Sequence, residues 1–214
     1  MWSNEHMYNG EKLNSITHLV GAVLALVGFG SLITLGIQAQ NTRLLIGYVV
    51  FGFTLILLYT MSTLYHSFYL PKLKKIFRKL DHVSIYLLIA GTYTPYMLVS
   101  LYGRNGMFIL ALIWFMAVVG LLLDVLVRNR IEWLQILIYL VMGWLCALSY
   151  PDLQATLPSA GLAWLTVGGV AYTVGIIFYV LDSRTKLRHA HGIWHLFVLC
   201  GSICHFISIA IYVR

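Results

Sequence analysis

The sequence predicts an all-α, polytopic membrane protein: one domain, residues 1–214, with seven transmembrane helices and a cytoplasmic N-terminus. Three observations predict it. Of 214 residues, 60% are apolar and only 10% charged, whereas a soluble domain carries roughly 25% charged residues, so most of this surface suits lipid. Apolar runs close to the roughly 20 residues that a bilayer requires recur along the chain. The lysines and arginines fall mostly in the short segments between those runs.

The runs follow in order. The first, residues 16–38, succeeds the polar stretch MWSNEHMYNGEKLN, and its Gly21, Gly28 and Gly30 suit close helix approach. A weak boundary, QNTR, separates it from residues 43–67. The basic stretch KLKKIFRK reads as a loop that contacts anionic lipid and precedes residues 82–101. In that third run, GTYTPY contains Pro95, which should kink the helix. Residues 106–127 and the shorter 132–149 follow, and SYPDLQATLPS reads as a polar, proline-containing loop. Residues 160–181, with Gly168, Gly169 and Gly175, and residues 191–213 complete the set.

Charge assigns the sides. With the N-terminus inside, the inner segments hold Lys12, Lys72, Lys74, Lys75, Arg78, Lys79, Arg128, Arg130, Arg184, Lys186 and Arg188. The outer segments hold only Arg43, Arg104 and Arg214. Such a bias places the N-terminus in the cytoplasm and the protein in the plasma (inner) membrane.

Composition also excludes. The first fourteen residues lack the basic, apolar and cleavage-site pattern of a signal peptide. Three cysteines inside apolar runs (Cys146, Cys200, Cys204) argue against a disulfide framework; Cys200 and Cys204 share a helix face and read as packing residues. The net charge of +7 sits beside spans and is topological, with no nucleic-acid motif. No strong internal repeat of the kind that marks many transporters stands out.

The polar residues of the spans converge on one membrane depth. Glu11, Asn14 and His18 begin the first helix; Ser62 and His66 end the second; Asp81 and His82 open the third; His191 and His195 open the seventh. Ionisable groups in spans are costly and usually face a functional interior. His191 and His195, four apart, share a helix face and can reach one small ion, to which His66 can add a third nitrogen. Three neutral imidazoles leave a tetrahedral ion one position open to water, as in catalytic zinc sites. HGIWH lacks the glutamate of the H-E-x-x-H protease helix, so an assisting carboxylate must come from elsewhere, with Asp81 the nearest candidate. Ser62, one turn from His66, is placed to bond a water or substrate oxygen. Two histidines on one face cannot be the two axial ligands of a haem, although His66 with either one could. His205, ten residues past His195, lies about 15 Å deeper and reads as a packing histidine; His6 and His189 read as loop residues. Glu11 and Asn14 either cap the first helix or support His18.

In order and spacing, ExxNxxxH (Glu11, Asn14, His18), SxxxH (Ser62, His66), the KLDH opening (Asp81) and HxxxH (His191, His195), with LIAGTYTPY, resemble the progestin and adipoQ receptor family, bacterial haemolysin III branch. The resemblance implies a seven-helix fold and a zinc ion near the cytoplasmic face, bound by His66, His191 and His195. It implies that Asp81 holds a zinc-bound water with Ser62 beside it. Glu11, Asn14, His18 and His82 read, from their place at the same depth, as supporting residues, His82 standing where receptor relatives have other residues. Eukaryotic members are linked to ceramide hydrolysis. The expected function is therefore zinc-dependent hydrolysis of a lipid amide or ester, the substrate entering from the bilayer. The alternative is a non-enzymatic sensor of membrane state or cytolytic factor with a structural zinc. Membrane lipids are the expected partners, and nucleic acid is not.

Overall fold

The computed structural model describes residues 11–127, 131–185 and 189–214. His6, Arg128, Arg130, Lys186 and Arg188 lie outside the described residues. The order is α1 (Glu11–Gln38), α2 (Thr42–Ser67), α3 (Pro71–Pro95) with a π-helical turn at Tyr96–Ser100, and α4 (Gly106–Leu126). Then come α5 (Glu132–Trp144) with a 3₁₀ turn at Leu145–Ser149, the short α6 (Tyr150–Thr156), α7 (Ser159–Thr185) and α8 (Ala190–Tyr212). Among the described residues, seven helical segments are long and apolar enough to cross a membrane, α5 and α6 counting together, and there is no strand.

Side chains confirm which solvent these helices meet. Val27, Phe108, Phe115 and Leu126 stand mostly exposed on their helices, an arrangement stable only against acyl chains. Inside, Thr92 and Thr94 return their hydroxyls to the carbonyls of Leu88 and Ala90 at 2.8 and 2.9 Å, so each polar group is satisfied on its own helix. Tyr48 at the start of α2 donates to the carbonyl of Val213 beyond α8 at 3.1 Å. Ser15 near the start of α1 meets Ser67 at the end of α2 at 2.7 Å. These bonds set α2 antiparallel to both α1 and α8, which therefore run parallel to each other.

Several boundaries differ from the sequence reading. α1 begins at Glu11 rather than near residue 16. KLKKIFRK is helical: Pro71 occupies the first turn of α3, where its missing N–H costs nothing, and lysine, leucine and arginine then propagate the helix. The α2–α3 connection is only residues 68–70. Most of SYPDLQATLPS is likewise helical, Pro151 standing in the first turn of α6 and Leu153 being buried. The prolines there start a helix rather than mark a loop. At the QNTR boundary Gln40 adopts φ 50° and the Asn41 side chain caps α2 by accepting from Arg43 and Leu44 N–H at 3.1 and 3.3 Å. Beyond Pro95, α3 continues as the π turn, in which Leu101 N–H reaches back to Tyr96 O at 2.9 Å.

Gly21 faces the Tyr59 ring so closely that a Cβ there would lie 2.5 Å from a ring carbon. Gly30 and Gly169, in contrast, have open space where a Cβ would go, so they are not close-approach residues. At the end of the bundle away from the histidines, Arg104 pairs with Asp152 at 2.5 Å and Arg43 lies 3.3 Å over the Tyr102 ring.

Candidate metal centre

Three helices carry the centre. α2 ends with His66, α8 begins with His191 and His195, and α1 lies between them with Glu11, Asn14 and His18. One ring nitrogen from each of His66, His191 and His195 lies within 4.8 Å of the others, a grouping able to hold a metal ion. His66 and His195 are 2% and 0% exposed.

The other nitrogen of each ring is occupied, and its partner fixes the tautomer. His66 Nδ1 bonds the Glu11 carboxylate. His191 Nδ1 bonds Asp182 Oδ2 at 3.1 Å. His195 Nδ1 bonds the carbonyl of Asn14 at 3.2 Å, with Thr17 Oγ1 at 3.4 Å. A carboxylate or carbonyl oxygen only accepts, so all three Nδ1 atoms carry the proton. All three Nε2 atoms therefore hold lone pairs, and all three are buried without a hydrogen-bond partner. Three converging lone pairs shielded from water repel one another and lack donors; a small cation satisfies them together. The donor set, neutral imidazoles with oriented outer nitrogens, is the one that zinc takes.

Glu11 joins three side chains at this end of the bundle. Its second oxygen receives Lys74 Nζ at 3.0 Å, and Lys74 also reaches the carbonyl of Tyr65 at 3.2 Å. Asn14 Nδ2 donates to Glu11 at 3.4 Å. Glu11 thus supports His66, not His18. His18 instead bonds Ser62 Oγ through Nδ1 at 2.6 Å and stacks on His195 with ring centroids 3.6 Å apart. Its Nε2 is also buried and unpartnered.

Asp81 is buried and lines, with His18, a cavity between α3, α5, α7 and α8. Its carboxylate is not part of the three-histidine grouping. The cavity holds about 1170 Å³ of space, its open mouth included, with mostly apolar walls such as Ile85, Leu88, Ile89 and Ile176. Trp144 on α5 donates to Thr173 on α7 at 3.0 Å across one side of it. His82 also lines the cavity, and its Nδ1 bonds the carbonyl of Arg78 one turn back.

Asp182 was missed by the sequence reading because the sixth span was ended at residue 181, one position short. α7 runs on to Thr185, which puts Asp182 opposite His191.

This layout of Glu11, His66, Asp81 and the HxxxH of α8 runs the length of the chain, and so does the likeness to known proteins. Residues 6–206 match the family described as haemolysin-III related. The chain belongs to that family. Hemolysin-3 of Bacillus cereus is 40% identical over 95% of this chain and 91% of its own length. The hemolysin-3 homolog of Bacillus subtilis (strain 168) is 38% identical over 94% and 93%. Human monocyte to macrophage differentiation factor is 29% identical over 75% of this chain and 67% of its own length. No solved structure matches. The haemolysin III assignment agrees with the motif resemblance, which placed this branch within the progestin and adipoQ receptor family. With seven apolar helices, this haemolysin III protein is an integral membrane protein.

Proposed function

We propose that this haemolysin III protein holds zinc through His66, His191 and His195 and hydrolyses an amide or ester bond of a lipid. The observation that carries the reading is the shared tautomer of the three histidines, which leaves three buried, unpartnered Nε2 atoms close to an apolar cavity lined by His18 and Asp81. Bound zinc supplies Lewis acidity toward a carbonyl oxygen and toward water. Asp81, at the histidine end of the cavity, accepts a proton from the attacking water and returns it to the leaving nitrogen or oxygen. His18, steadied by Ser62, meets the polar head of the substrate. Ile85, Leu88, Ile89 and Ile176 hold its aliphatic chain and keep water away.

The basic residues Lys72, Lys75, Arg78 and Lys79, at the end of α3 that carries the site, support a reading in which this end of the bundle faces the cytoplasm. Reporters fused ahead of Glu11 and after Arg214 should report inside and outside; the opposite result reverses the orientation.

The test is metal analysis and turnover of a ceramide-type amide and a matching ester by the purified chain. Wild type should hold one zinc and cleave one of them. His66→Ala and His191→Ala should lose zinc, whereas Asp81→Ala should keep it and lose turnover. Turnover by Asp81→Ala removes that residue from the mechanism, and wild type without zinc overturns the whole reading.

One observation favours a second reading, a closed structural site. His18 Nε2 is also buried and unpartnered against His195. Four protein ligands mark a structural zinc, and three leave a position for reaction. X-ray absorption of the zinc-loaded protein distinguishes them by counting nitrogens.

A further inference from the structure

The cavity reaches well beyond the histidine layer. His205, on α8 ten residues past His195, lies about 15 Å further along the helix axis and lines the same cavity as Asp81 and His18. It is 8% exposed. Its Nε2 bonds the carbonyl of Leu165 at 3.1 Å. A carbonyl accepts only, so the proton is on Nε2 and Nδ1 carries the lone pair. That Nδ1 is buried and has no hydrogen-bond partner. The Nε2 edge of the ring faces α7, where a Cβ on Gly168 would lie 2.5 Å from Nε2. The Nδ1 edge is the one turned away from Gly168.

No hydroxyl on the cavity wall serves it. Tyr93 donates to the carbonyl of Met142 at 2.8 Å. Tyr172 is engaged with Ser202 at 2.7 Å. Thr92 and Thr173 bond the carbonyls of Leu88 and Gly169, each at 2.8 Å. A water needs two to four polar partners, and these commitments leave it few. A plain aliphatic chain in the cavity would leave Nδ1 without a donor, at the cost of an unsatisfied buried acceptor.

We propose that the ligand of this cavity is an aliphatic chain bearing a hydroxyl well down its length, and that His205 Nδ1 accepts that hydroxyl's hydrogen bond. The inference rests on the reading of the cavity as a lipid site and adds its specificity. His205 takes no part in the reaction; it selects the chain and sets its depth.

The test is equilibrium binding to the purified full-length chain in detergent. The probes are stearate, stearate with one mid-chain hydroxyl, and stearate hydroxylated next to the carboxylate. Wild type should favour the mid-chain form roughly tenfold, the value of one buried hydrogen bond. His205→Gln keeps an N–H able to reach Leu165 O but carries its acceptor oxygen at the far end of the side chain rather than at the Nδ1 position, and should bind plain and mid-chain forms equally. His205→Asn puts an oxygen near the Nδ1 position and should retain the preference. Binding of plain stearate by each variant shows that it is folded. Equal binding of all three probes by wild type overturns the proposal, as does a preference that survives in His205→Gln or one for the hydroxyl next to the carboxylate. Wild type that binds no stearate at all overturns the lipid reading of the cavity and this inference with it.

Discussion

His18 and His195 stack with their ring planes 10° from parallel and their centroids 3.6 Å apart, joining α1 to α8 across the histidine centre. His18 holds one face of a proposed ligand and is itself held by Ser62. Replacing it by alanine should leave one zinc per chain and weaken affinity about tenfold, the lower end for groups that orient ligands. Competition with a chromogenic chelator measures this. Complete loss of zinc would make His18 a ligand, and unchanged affinity would make the stack incidental.

Glu11 and Asp182 orient His66 and His191 through their Nδ1 protons. Glu11→Gln and Asp182→Asn should each lower zinc affinity by about 10–100-fold. The amide can present its N–H to Nδ1 and favour the wrong tautomer, which turns the lone pair away from the centre. Glu11→Gln also loses the Lys74 ion pair, so the same chelator titration should show it as the more affected variant.

Zinc binding should fall steeply with acid. Each of the three Nε2 atoms must be unprotonated to bind, so protons compete with the metal as pH falls. Affinity is lost on acidification, with a slope approaching three protons per zinc. Because zinc binds the folded chain, the metal-dependent rise in thermal stability should be lost together with it. A slope of one proton would mean that a single histidine binds.

Gly21 leaves room for the Tyr59 ring, whose hydroxyl donates to Ser202 at 2.8 Å. Gly21→Leu should cost about 1–3 kcal/mol through overpacking. Thermal unfolding in detergent reads that loss. The same change at Gly30, which faces open space, is the control and should be nearly neutral.

Much of the fold was legible because lipid imposes one simple rule on every span, and the seven runs obey it. The HxxxH of α8 was legible because a four-residue step has only one meaning on a helix. What stayed hidden depended on tertiary pairing. Nothing in the sequence says that Ser62 turns to His18 rather than to a ligand, or that Glu11 meets His66. The helical continuation through KLKKIFRK was hidden because its charge density reads as a loop against anionic lipid, although its residues are good helix formers and Pro71 is well placed to start them. Asp182 was lost to a boundary at residue 181, four short of the end of α7.

The proposed ligands sit at distant points of the chain: His66 on the second helix, His191 and His195 on the last. Chains emerge from the ribosome N-terminus first, so α1, α2 and α3 are made while the centre has only one of its three nitrogens. No shorter product ending before Ala190 carries more. The centre therefore distinguishes a chain that includes α8 from one that stops before it, and its occupancy would report that α8 has been inserted and has found α1.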